Sequence, residues 1–177
     1  MFSQVLVAID GSATGNRGLK AAIGLASNQK AAPSILHVVD DLTTVSYVGD
    51  MGYVPAGYVD ELLDDLRANG RRILTKAEAV ARDSGVDAKT LLIESRGGSI
   101  ADAILGQARK LRADVIVLGT HGRRGLRRVV MGSDAEAVLR ESRVPVLLVR
   151  APEGSRSAPA SRKSAATTGR RGAQTGK

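Results

Sequence analysis

Apolar and polar positions alternate along the chain in a way that predicts strands separated by helices. Five short apolar runs, rich in branched residues and bounded by turn-forming residues, are typical of buried strands. These runs are Val5 to Ile9, Ile35 to Val39, Leu91 to Ile93 with a start near Val86, Val115 to Leu118, and Val144 to Val149. Strands that are apolar on both faces are expected in a parallel sheet covered by helices on its two sides.

Helical periodicity occupies the segments between these runs. The first helix ends near Asn28, and one face of it carries Leu19, Ala22, Ile23 and Ala26. The last helix begins near Ser133 and turns Ala137 and Val138 towards the core. Both patterns predict amphipathic helices that cover the sheet.

The longest predicted helix follows a polar loop from about Asp40 to Tyr58, and Gly70 weakens it in the middle. Its apolar stripe consists of Leu62, Leu63, Leu66, Ile73, Leu74, Ala77 and Val80. Ser99 and Asp102 have the spacing of a capping box at the start of a further helix. That helix continues with Ile100, Ile104 and Leu111 on one face.

Apolar strands that alternate with amphipathic helices predict an α/β fold, a doubly wound, open, parallel five-stranded sheet with helices on both faces. In such sheets, ligands bind beyond the carboxyl ends of the strands, where the strand order reverses. Candidate positions therefore follow the strands, at Asp10 to Ser12, Val38 to Asp41, Glu94 to Ser99, and from Gly119 onward. Only the last of these segments contains several residues typical of a ligand site.

A glycine-rich segment follows the fourth predicted strand. Gly119, Thr120, His121 and Gly122 come first, and after nine further residues Gly132 and Ser133 open a helix. Glycines let a ligand approach backbone N–H groups, and a helix start attracts anions. The segment therefore predicts a phosphate site. It is neither a Walker A loop nor a dinucleotide-binding G-x-G-x-x-G turn, because the residues that those motifs require are absent.

The spacing G-x2-G-x9-G-(S/T) resembles the nucleotide-binding branch of the universal stress protein family. Gly119, Gly122, Gly132 and Ser133 match this motif. The resemblance extends to Val5 to Gly11, to Leu36 to Val39 and to Val144 to Val149, and it covers Met1 to about Arg150.

The resemblance implies the strand order 3-2-1-4-5, with ATP and Mg²⁺ or Mn²⁺ lying across the ends of strands one and four. Asp10 is then expected to hold the ribose, Ala8 and Ile9 to line the base, and Val38 to pack on adenine. Gly119 and Gly122 are expected to meet the ribose and phosphates. The β- and γ-phosphates are enclosed by Gly132, Ser133 and the N–H of Asp134. Asp134 departs from the family pattern, in which an uncharged residue is more usual.

Several of these residues also have purely structural interpretations. Asp10 has the chemistry of an N-cap or turn residue for a helix near Asn16. His37, inside a strand, is more typical of a packing histidine than of a catalytic base. His121 either donates to phosphate or points away, and Asp41 with its neighbour Asp40 either helps to hold Mg²⁺ or is a solvated acid.

Composition and charge narrow the choice of function. Of the formal net charge of +8, +5 belongs to residues 153–177, which contain no Val, Ile, Leu, Met or aromatic residue. We therefore expect a nucleotide-binding domain over residues 1–152 and a disordered basic tail over 153–177. The absence of Cys excludes disulfides and thiolate metal sites. Aromatic residues make up only 2% of the chain, too few for stacking bases.

A second basic cluster lies inside the glycine segment, at Arg123, Arg124, Arg127 and Arg128. These side chains either clamp phosphates or belong to a solvated loop. No signal-like start and no stretch of about 20 apolar residues occurs, so we expect a cytoplasmic protein without a membrane span.

The resulting functional hypothesis is an ATP-binding stress protein that acts as a sensor or adaptor for an unknown protein partner, with slow hydrolysis at most. The last strand, Val144 to Val149, is an apolar edge, and the family resemblance implies a homodimer through it. One alternative is an adenine-nucleotide hydrolase with steady turnover, using Asp10, His121 and a metal ion. Another is a nucleic-acid accessory protein that acts through the basic tail.

Overall fold

The computed structural model describes residues 2–41, 52, 57–120 and 131–150. Strands and helices alternate along these residues. The strands are β1 (Gln4–Ala8), β2 (Ala32–Val39), β3 (Lys89–Glu94), β4 (Val115–Gly119) and β5 (Val146–Val149). The helices between them are α1 (Ala13–Gln29), α2 (Tyr58–Asp83), α3 (Ile100–Leu111) and α4 (Ser133–Glu141).

The five strands form one parallel sheet in the order β3-β2-β1-β4-β5. Val7 of the central strand lies opposite Ile35 of β2 on one side and Val117 of β4 on the other. The predicted doubly wound α/β fold and its strand order are confirmed. The order reverses between β1 and β4, so the carboxyl ends of these two strands flank the crevice where ligands bind in such sheets.

Two hydrophobic clusters cover the two faces of the sheet, as expected when both faces are buried. On one face, α1 and α2 pack on Val5, Val7 and Val117. On the other, α3 and α4 pack on Leu6 and Ile116. Alternate residues of each strand thus serve opposite faces, which explains why the strands are apolar throughout.

Several details differ from the sequence prediction. Strand β2 begins at Ala32 rather than Ile35, and β3 begins at Lys89 rather than near Val86. Val80 is exposed, and Ala81 takes the buried position on α2, because the inward residues follow the 4-3-4 spacing of Gly70, Leu74, Ala77 and Ala81. The last strand begins at Val146 rather than Val144. The N–H and C=O of Val144 instead bond the hydroxyl of Ser142, at 3.1 and 2.7 Å.

Gly70 does not interrupt α2, which is continuous from Tyr58 to Asp83. A Cβ atom on Gly70 would lie 2.6 Å from Leu92 Cδ1 and 2.7 Å from His37 Cδ2. Glycine therefore lets α2 approach the sheet closely over these two side chains, and the packing offsets its low helix propensity.

A helix that crosses a membrane needs about 20 mostly apolar residues. No helix in residues 2–41, 57–120 and 131–150 is long and apolar enough to do so.

Candidate functional site

The turn after β1 places a carboxylate at the crevice between β1 and β4. Asp10 accepts a hydrogen bond from the N–H of Ser12 at 3.0 Å, and Gly11 between them has a φ of 81°. Ser12, not Asp10, is the N-cap of α1: its hydroxyl accepts from the N–H of Gly15 at 3.0 Å. The helix also begins at Ala13 rather than near Asn16. Asp10 is a turn residue whose half-buried carboxylate lies beside the first turn of α1.

Gly119, at the end of β4, lies against the same turn of α1. A Cβ atom on Gly119 would come within 2.8 Å of the carbonyl carbon of Thr14 and 2.9 Å of the nitrogen of Gly15. A Cβ on Gly15 would in turn lie 2.6 Å from Asp10 Oδ1. Two glycines therefore allow β4, α1 and the Asp10 turn to meet at one point.

The chain closes on itself where α4 begins. Thr120 is buried; its N–H donates to the carbonyl of Val149, and its carbonyl accepts from the N–H of Gly132, both at 2.9 Å. Gly132 is the N-cap of α4 and has no side chain with which to cap the helix. Its φ is −63°, and a Cβ there would meet only the Thr120 carbonyl oxygen, at 3.6 Å. Unlike at Gly119, neither the backbone conformation nor the neighbouring atoms require glycine here.

Ser133 and Asp134 form the first exposed turn of α4. Because the preceding Gly132 is bonded to Thr120 after β4, the positive end of the α4 dipole lies at the crevice edge of the sheet. Asp134 and Glu136 are the acidic residues of this turn, a location that stabilises the helix electrostatically. Asp134 therefore has a structural role, since its negative charge stabilises the start of α4.

The three residues predicted to line the base do not share one face of the sheet. Ala8 and Val38 are both half-buried and pack with the cluster beneath α3 and α4. Ile9 is buried in the opposite cluster. Its N–H donates to the carbonyl of Leu36 at 2.9 Å, and its carbonyl lies 2.7 Å from His37 Nδ1. The interpretation of His37 as a buried packing histidine is confirmed.

The ends of β2 and β3 are joined by polar contacts. Asp41 accepts a hydrogen bond from the hydroxyl of Ser95, which follows β3. At the edge, Arg67 of α2 bonds Glu94 at 2.7 Å and Asp64 at 2.8 Å. These two hydrogen-bonded carboxylates raise the pKa of Arg67 above its usual value. Asp41 is therefore held by the turn after β3.

Metal binding by the protein alone finds no support in the part of the chain that the structure describes. No group of three or more His, Asp or Glu side chains within those residues could hold an ion.

The structure brings three separate segments of the chain to one edge of the sheet. They are Asp10, Gly119 and the α4 start from Gly132 to Asp134. His121 and Gly122 lie outside the described residues, as do the arginine cluster and residues 153–177. The roles predicted for all of these residues, and the domain boundary at 152, remain predictions.

Sequence reasoning missed two residues that build the site. Thr120 holds the start of α4, and Gly15 admits the Asp10 carboxylate. Ser12, one of the turn and cap residues Asp10 to Ser12 after the first predicted strand, caps α1. The roles of Thr120 and Gly15 depend on contacts between distant segments, which no local pattern reveals.

Comparison with known proteins adds the family. A model of the universal stress protein family matches residues 1–150. The universal stress protein YxiE of Bacillus subtilis is 38% identical over 151 residues, which cover 85% of this chain and 100% of that protein. The crystal structure of a universal stress protein family member from Burkholderia pseudomallei is 34% identical, with a TM-score of 0.66, and the match covers 84% of this chain and 96% of that one.

Two further similar structures contain adenine nucleotides. A universal stress protein in complex with cAMP is 24% identical with a TM-score of 0.57, covering 84% of this chain and 96% of that one. The universal stress protein of Archaeoglobus fulgidus in complex with dAMP is 20% identical with a TM-score of 0.56, covering 84% and 98%. At these identities the likeness shows the fold. The family model and the Bacillus relative, which match nearly all of the described sequence, show that the chain belongs to the universal stress protein family.

Proposed function

We propose that this protein binds ATP at the crevice between β1 and β4 and acts in the cytoplasm as a nucleotide-dependent sensor or adaptor, with slow hydrolysis at most. The observation that carries the proposal is the meeting of three elements at one point. Asp10, the Gly119 end of β4 and the Gly132 start of α4 are linked through Gly15 and Thr120. A carboxylate for ribose hydroxyls thus lies at the same edge of the sheet as a helix start suited to phosphates.

In the proposed complex, Asp10 accepts hydrogen bonds from the ribose, and Ala8 and Val38 pack against adenine. Ile9 supports this site without touching the base, because its side chain is buried in the cluster beneath α1 and α2 and its backbone N–H and C=O are bonded to Leu36 and His37. The two related complexes with cAMP and dAMP support an adenine nucleotide as the ligand.

The phosphates are assigned to the segment from Gly119 to Asp134, including His121 and Gly122. Gly132 supports this assignment. Because the packing around it would tolerate a Cβ atom, access for a ligand is the remaining reason for glycine at this position. Mg²⁺ or Mn²⁺ is assigned to the nucleotide phosphates, because Mg²⁺ in nucleotide sites is commonly bound by phosphates and water.

The decisive experiment is thermal unfolding of nucleotide-free protein with and without millimolar ATP and Mg²⁺, for the wild type, Asp10→Asn and Asp114→Asn. Both substitutions remove one charge from an aspartate that accepts backbone N–H groups, Asp10 at the carboxyl end of β1 and Asp114 at its amino end. A ligand that binds only the folded state raises its melting temperature. We expect ATP to stabilise the wild type and Asp114→Asn, and the effect to be lost in Asp10→Asn.

No shift in the wild type would overturn the proposal, and equal shifts in both variants would remove Asp10 from the site. Steady multiple turnovers of ATP would instead favour the hydrolase, since the sensor hypothesis requires binding with little turnover.

We also propose a homodimer formed by pairing of β5 with its copy. Strand β5 ends the sheet, and Leu147 on it is 41% exposed. An exposed apolar edge strand is a template for pairing with another chain. Light scattering should give a dimer for the wild type and a monomer for Leu147→Asp. The matched control is Leu139→Asp on α4, where the leucine is 45% exposed, and this variant should remain dimeric. A wild-type monomer at micromolar concentration would contradict the proposal.

A further inference from the structure

A cleft opens at the amino edge of the sheet, opposite the proposed nucleotide site. It lies where α3 and α4 end, beside the starts of β4 and β5, and its floor is apolar. The floor consists of Leu105, Ala108, Ala113, Ile116 and Val144. All but Val144 are buried, so this part of the second core cluster forms the floor of an opening to solvent.

The rim of this amino-edge cleft is cationic. Arg109, Arg112 and Arg143 line it, and all three are exposed. Within the described part of the chain, none of them forms an ion pair, whereas the rim residue Glu141 is paired with Arg140 at 3.2 Å. The carbonyl ends of α3 and α4 stabilise nearby cations, and Arg109 also interacts electrostatically with the exposed Asp102 carboxylate.

The size of the cleft restricts what can enter. Its volume is about 100 Å³, whereas pockets for small-molecule ligands typically enclose about 300–1,000 Å³. A nucleotide does not fit, but one aliphatic side chain does. Three exposed cations around an apolar floor therefore match an aliphatic anchor flanked by carboxylates.

We propose that the amino-edge cleft binds an acidic peptide segment of a partner protein, which inserts one aliphatic side chain between the three arginines. The cleft would be the surface through which the proposed adaptor binds its partner. This inference rests on the proposed function. Strand β4 and helix α4 each extend from the proposed nucleotide site to the cleft. The two sites lie at opposite ends of these elements, so both can be occupied together.

The test is an NMR titration of the ¹⁵N-labelled full chain with capped pentapeptides at low salt. The probe peptide has one leucine flanked by two glutamates on each side. One control replaces the leucine by alanine, and another replaces the glutamates by lysines. We expect saturable shifts of the Ala108, Ala113 and Ile116 amides with the probe, weaker binding of the alanine peptide, and none of the lysine peptide.

Two variants remove rim cations without burying new groups. Arg112 has a φ of 51°, a conformation that glycine prefers, so Arg112→Gly should fold at least as well as the wild type. We expect Arg112→Gly and Arg143→Gln each to weaken probe binding about two- to fivefold, the effect of one exposed ion pair. Arg71→Gln, at an exposed arginine of α2 outside the cleft, should bind as the wild type does.

Absence of shifts at millimolar probe, shifts centred on Gly132 instead, or equal binding of the lysine peptide would overturn the proposal. Concentration-dependent shifts of the cleft amides without peptide, removed by Arg112→Gly, would identify a second copy as the occupant and also overturn it. The stabilisation of Arg112→Gly by ATP should equal that of the wild type. Failure of the cleft proposal is therefore distinguishable from failure of the nucleotide proposal.

Discussion

The starts of α3 and α4 lie at the same edge of the sheet but are built differently. At α3, the hydroxyl of Ser99 accepts from the N–H of Asp102 at 3.0 Å, and the Asp102 carboxylate accepts from the Ser99 hydroxyl at 2.7 Å. The hydrogen bonds from Ser99 lower the pKa of Asp102. At α4, the N-cap is Gly132, which makes no side-chain cap.

This difference separates a helix start used for stability from one suited to a ligand. A capping box satisfies backbone donors with the chain's own side chains and adds a negative charge at the positive helix end. A glycine N-cap supplies no side-chain acceptor, so an anion can take that place, and the negative charge at the α4 start comes from Asp134 and Glu136 instead. Helix α4 also starts beside β4, since the N–H of Gly132 bonds the carbonyl of Thr120, the residue that follows this strand.

The largest expected effect comes from disturbing the close contact between β4 and the first turn of α1. Gly119→Ala places a methyl group within 3 Å of backbone atoms of Thr14 and Gly15, which cannot move independently of α1. We expect a loss of about 1–3 kcal/mol in the free energy of unfolding, as for other overpacked positions. Urea denaturation measures it. Unchanged stability would mean that α1 and β4 are not held at this distance.

A smaller effect is expected at the capped helix. Ser99→Ala removes the hydroxyl that bonds Asp102 and should lower the free energy of unfolding by about 1 kcal/mol. ATP-dependent stabilisation should be retained, because α3 does not start at the crevice between β1 and β4. Chemical denaturation with and without ATP checks both expectations. Loss of the ATP effect would extend the site to α3.

The smallest stability effect is expected when α4 receives a cap. Gly132→Asp supplies a carboxylate at the N-cap and should change stability by only a few tenths of a kcal/mol, in the stabilising direction. The same charge should abolish stabilisation by ATP, since it occupies and repels the phosphate position. Gly132→Ala is the neutral control. Full ATP binding by Gly132→Asp would exclude the α4 start from the site.

The fold was predictable because each element carries its own hydrophobic period. The five apolar runs correspond to β1 to β5, and Ser99 with Asp102 forms the predicted capping box. The errors lie at the ends of elements and at one position where a residue is exchanged for its neighbour. Val80 was placed on the buried face instead of Ala81 because alanine contributes little hydrophobicity to a pattern, although its small size suits close packing on α2.

The candidate site was predictable only in part. Asp10 and Gly132 follow from turn and motif chemistry, and the structure brings both to the crevice between β1 and β4. From the sequence, the glycine at position 119 was explained by the close approach of a ligand. The structure adds a second reason, because Gly119 lies against the first turn of α1. Such a contact joins residues more than 100 positions apart and leaves no local trace.

The sequence alone determined the element types, the α/β class and the chemistry at the strand ends, because periodicity and turn residues act over a few neighbouring positions. Only the tertiary structure decided that Thr120 bonds Gly132, that Gly15 and Gly119 bring α1 against β4, and that three arginines surround an apolar cleft. These features arise from the parallel alignment of distant strands, whose carboxyl ends meet at one edge and whose amino ends meet at the other.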